Sequence, residues 1–280
     1  MTFSIVAFDE KEQAWGIAVA SKFPAVGAVV PWAQAGAGAV ATQSFANTSF
    51  GPRGLEMMAK GMSAEETLAK LLEDDPDKDL RQVGLVDAQG RAATFTGPGC
   101  FAWAGGAAGP GYACQGNILA GELVVKALEK TFLETGGDLP TRLHAALLAA
   151  DRAGGDRRGR QSAAIYVVKP KGGYAGFNDR WLDYRVDDHA DPVARLGELI
   201  EMHRLYFGKS EESDRLELSG PALVQMQEIA RRLGYWSPEG DFRDAFSAFI
   251  GNENFEERAD PEGRWIDRPV FEYLTRKFGK

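Results

Sequence analysis

The sequence contains few of the residues that build metal sites and disulfide frameworks. It has two cysteines and three histidines in 280 residues, and the histidines lie far from Cys100 and Cys114 without zinc-ligand spacing. We therefore expect no metal ion, and no disulfide in a reducing compartment. Long apolar runs are also missing, because charged residues interrupt each one before the ~18 residues that a membrane helix needs. This pattern excludes a membrane-spanning role.

The balance of charge argues against nucleic-acid partners. The formal net charge is −8 at pH 7, whereas nucleic-acid affinity rests on lysine and arginine side chains that neutralise phosphates. At the amino end, Asp9, Glu10 and Glu12 stand where a secretory signal needs an apolar stretch. We therefore expect a cytoplasmic protein with neither a nucleic-acid nor a membrane partner.

Short apolar segments separated by polar turns predict a sheet at the amino end. Residues 3–8 and 15–20 lie on either side of a polar turn, which is typical of a β-hairpin that starts at residue 2. Segments of similar character predict further strands at 26–32, 37–43, 82–87, 91–96, 100–104, 111–115, 162–168 and 180–186.

Helical signals follow in separate blocks of the sequence. Ser63 and Glu66 have the spacing of a capping box, which predicts a helix over about 63–74. Apolar periodicity predicts further helices over about 119–135, 139–152 and 191–207. Because antiparallel strands and helices are segregated along the chain, the predicted fold class is α+β and not a parallel sheet of βαβ units.

The length favours two domains, since single cores stop growing beyond ~250 residues. The stretch Gly208–Asp214 is polar and has little to bury, so we interpret it as a linker. The predicted domains are residues 1–208, which carry the α+β fold, and residues 216–280, which form a small all-helical domain.

Thr2 is the first candidate for chemistry. It stands directly after Met1 and directly before an apolar strand. Removal of Met1 would leave a threonine whose hydroxyl is a nucleophile and whose own α-amine, with a pKa of about 8, acts as the base. Threonine is also a common strand starter, so a purely structural role is the alternative.

An arginine-rich loop is the second candidate. Residues 154–162 carry three arginines between a predicted helix and a predicted strand. Guanidinium groups bind carboxylates and phosphates through a planar fork, so the loop is a candidate ligand site. A solvated turn with a local ion pair is the alternative. Its glycines lack phosphate-loop spacing, and we expect no cofactor. The candidate residues are Asp156, Arg157, Arg158, Gln161 and Ser162.

Polar side chains at strand ends form the third candidate. Gln43, Ser44 and Asn47 follow one apolar strand, and Asn117 follows another. Amides and hydroxyls in such positions bind polar ligands or stabilise an oxyanion, although they also serve as caps and turns. Lys22 ends the second predicted strand, where it is either a solvated charge or a group that biases proton transfer at Thr2.

These segments together resemble a bacterial family of unknown function, domain of unknown function 1028, which is assigned to the N-terminal-nucleophile (Ntn) hydrolase superfamily. The resemblance implies a four-layer αββα sandwich in which the first residue of the first strand is the processed nucleophile, the position held here by Thr2. It departs from proteasome-type relatives at Ser21, where they carry an aspartate. The similar segments are 2–7, 16–23, 26–33, 41–47, 115–117 and 154–163.

The tail resembles a second family, the small helical domains described as peptidoglycan-binding. The segments Val224–Trp236 and Asp241–Phe249 carry this resemblance. Most of the tail's aromatic residues are expected to form the core of a small helical domain, since a unit of this size needs them for stability.

Two functions stay open on the sequence. In the first, the protein cleaves an amide bond in a small peptide-like substrate, with Thr2 as nucleophile and Asn117 among the oxyanion donors. Lys22, Gln43, Ser44, Asn47 and the arginine loop then surround the substrate. In the second, a non-catalytic protein binds a small molecule or a muropeptide on the same fold. In both cases the expected partner is a small molecule that carries an amide or a carboxylate. Assembly of the protein into a homo-oligomer stays open.

Overall fold

The computed structural model describes residues 2–208 and 211–279. The chain forms two compact units, one extending to Ile200 and the other starting at Glu201. Their boundary falls inside the helix Pro192–Phe207, whereas the predicted domains, 1–208 and 216–280, place it after that helix. Lys209 and Ser210 of the predicted linker lie outside the described residues, and Glu212–Asp214 form a short 3-10 helix.

A six-stranded antiparallel sheet holds the amino-terminal strand near its centre. The strands β1 (Thr2–Asp9) and β2 (Ala14–Ser21) form the predicted hairpin. The other members are β7 (Gly105–Gly109), β8 (Tyr112–Asn117), β9 (Ser162–Val168) and β10 (Arg180–Val186). The strand order is β10-β9-β2-β1-β8-β7, so β1 has a neighbour on each side.

A second antiparallel sheet has four strands in sequential order. These are β3 (Pro31–Gln34), β4 (Gly38–Ser44), β5 (Arg81–Asp87) and β6 (Ala92–Thr96). Alternate residues of β1 and β2 share one apolar cluster with β4 and β5, so the two sheets pack against each other. The residues that meet there include Val6, Ile17, Ala39, Ala41 and Val86.

Helices cover the opposite faces of the two sheets. On the four-stranded sheet, α1 (Phe50–Ala59) and α2 (Ala64–Glu73) share a buried cluster with β4 and β5. On the six-stranded sheet, α3 (Leu123–Glu134), α4 (Leu139–Arg152) and the first half of α5 (Pro192–Phe207) pack against β1 and β2. This arrangement confirms the α+β class with antiparallel strands.

The capping box at Ser63 is confirmed. Its hydroxyl accepts a hydrogen bond from the Glu66 N–H at 3.2 Å, and the Ser63 N–H donates to the Glu66 carboxylate at 2.9 Å. Both groups satisfy free positions in the first turn of α2.

Two local predictions are corrected, and one helix was missed. Residues 26–28 form a 3-10 helix, because the chain turns at Ala25 with a φ of 50°, and the strand starts only at Pro31. The strand expected at 100–104 lies at Gly105–Gly109, since Cys100 closes a turn onto Gly97. Helix α1 was not expected, because its glycines and its proline are typical of loops.

The second unit is helical, with a small two-stranded sheet that the all-helical prediction lacked. Its helices are α6 (Gly220–Arg232), α7 (Phe242–Asn252) and α8 (Arg268–Phe278), and its strands are β11 (Arg215–Glu217) and β12 (Trp265–Asp267). The strands form because Leu216 pairs with Ile266 in the apolar core, while the Arg215 guanidinium lies 4.3 Å from the centroid of the Trp265 ring.

Aromatic residues fill the core of this second unit, as expected. Phe246, Phe249 and Phe255 are fully buried. A buried ion pair accompanies them, in which the Arg258 Nε donates to the Asp267 carboxylate at 2.5 Å. Among the described residues, no helix has both the length and the hydrophobicity to cross a membrane.

Candidate functional site

Thr2 begins the central strand and lies between two polar neighbours. Its Oγ1 donates a hydrogen bond to the Ser21 Oγ of β2 at 3.2 Å, and its Cα is paired with that of Asn117 on β8. Only 6% of Thr2 is exposed. The hydroxyl is therefore held in a largely buried position at the end of the sheet.

Buried amides connect Thr2 with the facing sheet. The Gln43 Nε2 donates to the Thr2 carbonyl at 3.3 Å and to the Gln82 Oε1 at 2.8 Å. The Asn117 Nδ2 donates to the same Gln82 oxygen at 2.9 Å. Gln43 thus holds the Thr2 backbone in place, and the second N–H of the Asn117 amide has no other acceptor among the described residues.

The same network extends deeper between the sheets. The Ser4 Oγ donates to the Gln43 Oε1 at 2.6 Å, and the Gln115 Nε2 donates to the Ser4 Oγ at 2.7 Å. Gly84 leaves room for this arrangement, since a Cβ at its position would lie 2.1 Å from the Gln115 Oε1. Because unpaired polar groups are costly when buried, these hydrogen bonds fix the amides that face Thr2.

Gln82 was missed by sequence reasoning. It is fully buried, accepts hydrogen bonds from two amides of the site, and donates to the Gly116 carbonyl at 2.7 Å. Like Gln43, it is a buried glutamine next to a terminal residue of a strand whose central positions are mainly apolar. That shared pattern is the signal that could have identified it.

Asp156 lies across the amino end of β1. It forms an isolated antiparallel bridge with Leu119, two residues beyond β8, and its Oδ2 accepts the backbone N–H of Lys22, one residue beyond β2. Since β2 and β8 flank β1 on either side, a segment that contacts both extensions passes over the start of β1. The Asp156 carboxylate is 1% exposed, so this end of the site carries a buried acidic group.

The arginines of the loop have different surroundings. The Arg158 Nη2 donates to the Lys22 carbonyl at 3.0 Å and lies 3.3 Å from the Asp156 carboxylate, while the Arg160 Nε donates to Asp151 at 2.9 Å. Such local ion pairs are typical of a solvated turn, which is the alternative to a ligand site for this loop. Arg157 is exposed, and its guanidinium has no acidic partner among the described residues. Arg157 is therefore the first of the three to consider for a ligand, because acidic side chains already engage Arg158 and Arg160.

Ser162 and Gln161 make structural contacts at the same end of the sheet. Ser162 pairs with Ser21 across β2 and β9, and its hydroxyl donates to the Phe23 carbonyl at 2.5 Å. The Gln161 amide lies on the other side of the loop and donates to Asp188 at 3.2 Å. Both side chains support the chain around the site.

The remaining predicted residues lie nearby. Lys22 contacts the loop through its backbone, and its side chain is exposed. Ser44 ends β4 with a φ of 70°, which turns the chain away from the sheet. The Asn47 Nδ2 donates to the buried Asp75 carboxylate at 3.0 Å.

Asp75 is a second residue that sequence reasoning missed. Its carboxylate accepts hydrogen bonds from the Arg81 guanidinium, and this contact lowers the pKa of Asp75 to about 2. The Arg81 Nη1 in turn donates to the Phe45 carbonyl at 2.7 Å. The pair therefore holds the segment that follows β4.

Among the described residues, the cysteine and acidic side chains form neither a disulfide nor a metal-binding group. Cys100 and Cys114 are free thiols, and burial raises the pKa of Cys114 well above its usual value. In the part of the chain that the structure describes, histidine, cysteine and acidic side chains form no group of three able to hold a metal ion. An open groove beside α1 and α2, lined by Met57, Lys60, Met62 and Glu66 among others, contains none of the predicted site residues.

Comparison with known families covers both units. A model described as "Family of unknown function (DUF1028)" matches residues 2–196. The chain belongs to this DUF1028 family. A second model, described as "Putative peptidoglycan binding domain", matches residues 206–274. The two family matches expected from the sequence, DUF1028 and the peptidoglycan-binding-like domain, are therefore confirmed.

One solved structure is similar to this chain over most of the length of both proteins. The crystal structure of protein SPO2555 from Silicibacter pomeroyi, assigned to the same DUF1028 family, is 28% identical and superimposes with a TM-score of 0.67. The alignment covers 76% of this chain and 88% of that chain. A search of curated proteins finds no match. The DUF1028 match includes Thr2, Asn117 and the Asp156 loop, so the candidate site belongs to the family domain.

Proposed function

We propose that the DUF1028 unit is an Ntn-type hydrolase that cleaves an amide bond in a small peptide-like molecule, with Thr2 as its nucleophile. The observation that carries this proposal is the position of Thr2 at the start of a central strand, with Ser21, Asn117 and Asp156 around it. In this proposal the two packed sheets and the helices on their opposite faces are the αββα sandwich of the Ntn superfamily.

The chemistry begins with the loss of Met1, which frees the α-amine of Thr2. This amine takes the hydroxyl proton as Oγ1 bonds to the substrate carbonyl carbon, and the remaining N–H of Asn117 donates to the oxyanion. The C–N bond then breaks, and the proton passes to the leaving nitrogen. Water, deprotonated by the same amine, hydrolyses the acyl ester and releases a carboxylic acid while Thr2 is restored.

Asp156 and Ser21 assist as positioning residues. A buried carboxylate across the amino end of β1 favours the positive charge that develops on the α-amine during attack. The Ser21 Oγ accepts the Thr2 hydroxyl hydrogen bond and orients the nucleophile before it is deprotonated. Arg157, the exposed guanidinium of the loop, binds a carboxylate of the substrate.

A non-catalytic binding protein is the second candidate, and one observation favours it. Thr2 is 6% exposed, whereas Arg157 of the loop is exposed. A carboxylate ligand, such as a muropeptide fragment, could therefore be held by the loop without any reaction at Thr2.

The decisive experiment combines mass analysis with activity. We expect the intact mass of protein from the native host to show the loss of one methionine. Thr2→Ser should keep measurable release of amine from a panel of small acylated amino acids, whereas Thr2→Ala should abolish it with only about 1 kcal/mol of lost stability. A preparation that retains Met1 serves as the control and should be inactive. Turnover that survives Thr2→Ala, or native protein that keeps Met1, would show that Thr2 is not the nucleophile.

A further inference from the structure

Two large aromatic side chains are left in solvent near the candidate site. Phe45 and Phe101 are 53% and 58% exposed, and their ring centroids lie 6.2 Å apart at an interplanar angle of 60°. Single exposed apolar residues are ordinary, but a pair in mutual contact forms an apolar surface that a ligand can cover. We call Phe45 and Phe101 the aromatic pair.

Backbone hydrogen bonds join the aromatic pair to the residues around Thr2. The Ile118 N–H donates to the Phe101 carbonyl at 2.9 Å, and the Ile118 carbonyl accepts the Arg157 N–H at 3.4 Å. Ile118 directly follows Asn117, which is paired with Thr2. The backbone of Ile118 therefore joins the backbone of Phe101, which carries one ring of the aromatic pair, to the backbone of Arg157, whose side chain is exposed.

Two hydrogen bonds fix the backbone of Phe45. Its N–H donates to the Leu80 carbonyl at 3.3 Å, and its carbonyl accepts the Arg81 Nη1 at 2.7 Å. Arg81 is itself bound to the buried Asp75 carboxylate. An exposed ring on such a constrained backbone loses little conformational freedom when it binds, which favours a recognition role.

From these contacts we infer that the substrate carries an aromatic or aliphatic acyl group and a free carboxylate, as in an N-acylated amino acid. The aromatic pair covers the acyl group, Arg157 binds the carboxylate, and the amide between them reaches Thr2. This inference rests on the proposed hydrolase function. It adds a substrate class that the Thr2 geometry alone does not specify.

Kinetics with matched substrates test the inference on the unaltered protein. N-(3-phenylpropanoyl)glycine should be hydrolysed with a kcat/KM at least about tenfold above that of N-acetylglycine, because the added apolar surface is buried on the aromatic pair. The glycinamide analogue, which lacks the carboxylate, should lose about tenfold. Equal kcat/KM values for the phenylpropanoyl and acetyl compounds would overturn the inference without any variant being made.

Variants then assign the effect to named side chains. Phe101→Ala should remove most of the preference for the phenylpropanoyl group, and Arg157→Gln should remove the preference for the carboxylate, whereas Arg157→Lys should restore part of it. Phe177→Ala is the control, since Phe177 is 90% exposed and lies between β9 and β10. Identical effects of Phe101→Ala and Phe177→Ala would refute the role of the aromatic pair.

A binding measurement separates this inference from the proposed function. Isothermal titration of Thr2→Ala with N-(3-phenylpropanoyl)glycine needs no turnover. If the unaltered protein hydrolyses none of the tested amides, while Thr2→Ala binds this compound and binds it about tenfold more weakly once Phe101→Ala is added, the hydrolase is contradicted and the ligand class is supported. Hydrolysis of amides without regard to the acyl group would support the hydrolase and contradict the ligand class. If the protein neither binds nor hydrolyses this compound, the inference is overturned.

Discussion

Replacing Asp75 by asparagine tests how the edge of the candidate site is held. The Asp75 side chain is 3% exposed, and its carboxylate accepts hydrogen bonds from the Arg81 guanidinium at 2.8 and 3.2 Å and from Asn47 at 3.0 Å. The Arg81 contact lowers its pKa from 3.8 to about 2. At ~1.36 kcal/mol for each pH unit, this difference corresponds to about 2 kcal/mol of stability that depends on the carboxylate charge.

The sign of the pH dependence follows from the lowered pKa. Since the folded state releases the Asp75 proton more readily than the unfolded state, the stabilisation is complete above about pH 5 and is lost as the pH falls toward about 2. About 1 kcal/mol of it should be gone by pH 3. Stability lost in this window therefore reports on the ionic hydrogen bonds around Asp75.

Thermal unfolding between pH 7 and pH 3 measures both effects. In a unit of about 200 residues, a loss of about 2 kcal/mol lowers the Tm by about 4–8 °C, so Asp75→Asn should show this gap from the unaltered protein at pH 7. The gap should narrow to about half at pH 3. Asp77→Asn is the matched control, because the Asp77 side chain is 65% exposed and contacts the same arginine only at 3.4 Å. A gap that does not change with pH would refute the assignment to the carboxylate charge.

Two further substitutions probe other parts of the fold by thermal unfolding and by hydrogen exchange. Gly84→Ala should cost about 1–3 kcal/mol, because its Cβ would lie 2.1 Å from a buried glutamine oxygen. Gly136→Ala, with no atom within 4 Å of its Cβ, should cost far less, and equal Tm values for the two variants would contradict the crowding argument. Arg258→Ala should destabilise the second unit by about 3–5 kcal/mol, since it removes a buried guanidinium that lies 2.5 Å from the fully buried Asp267 carboxylate. Arg264→Ala, at a side chain 74% exposed, should cost at most about 1 kcal/mol, and equal exchange rates in α6–α8 would show that burial of the pair does not matter.

The sequence predicted those elements whose signals are local. The amino-terminal hairpin and the Ser63 capping box depend on residues within a few positions of one another, and both are present. Helix α1 depends on a distant contact, because a Cβ at Gly51 would lie 2.2 Å from the Trp32 ring. Gly51 is therefore required for the packing of a helix against a strand, which no local pattern shows.

The same distinction applies to the candidate site. The two ends of the network that faces Thr2, Gln43 and Asn117, could be found because each follows or ends an apolar strand. Their common partner Gln82 could not, since the hydrogen bonds that define its role join residues 39 and 35 positions apart. The ion pair between Asp156 and Arg158 was foreseen as a local contact. That Asp156 also spans the start of β1 depends on the strand order, which brings Lys22 and Leu119 to either side of it.

The peptide bond between Met1 and Thr2 decides between the two proposed functions, since both use the same fold. With Met1 attached, the nitrogen of Thr2 is an amide that cannot accept a proton, so the hydroxyl has no base of its own. With Met1 removed, the same nitrogen becomes a basic amine at the start of β1, the end of the strand where Asp156 contacts both Lys22 and Leu119. A carboxylate buried over the start of a strand costs free energy unless hydrogen bonds or a positive charge compensate it. Two backbone N–H groups and Arg158 already provide part of that compensation. A free α-ammonium group would add to it, which gives Asp156 a reason to lie there in an enzyme that a binding protein does not need.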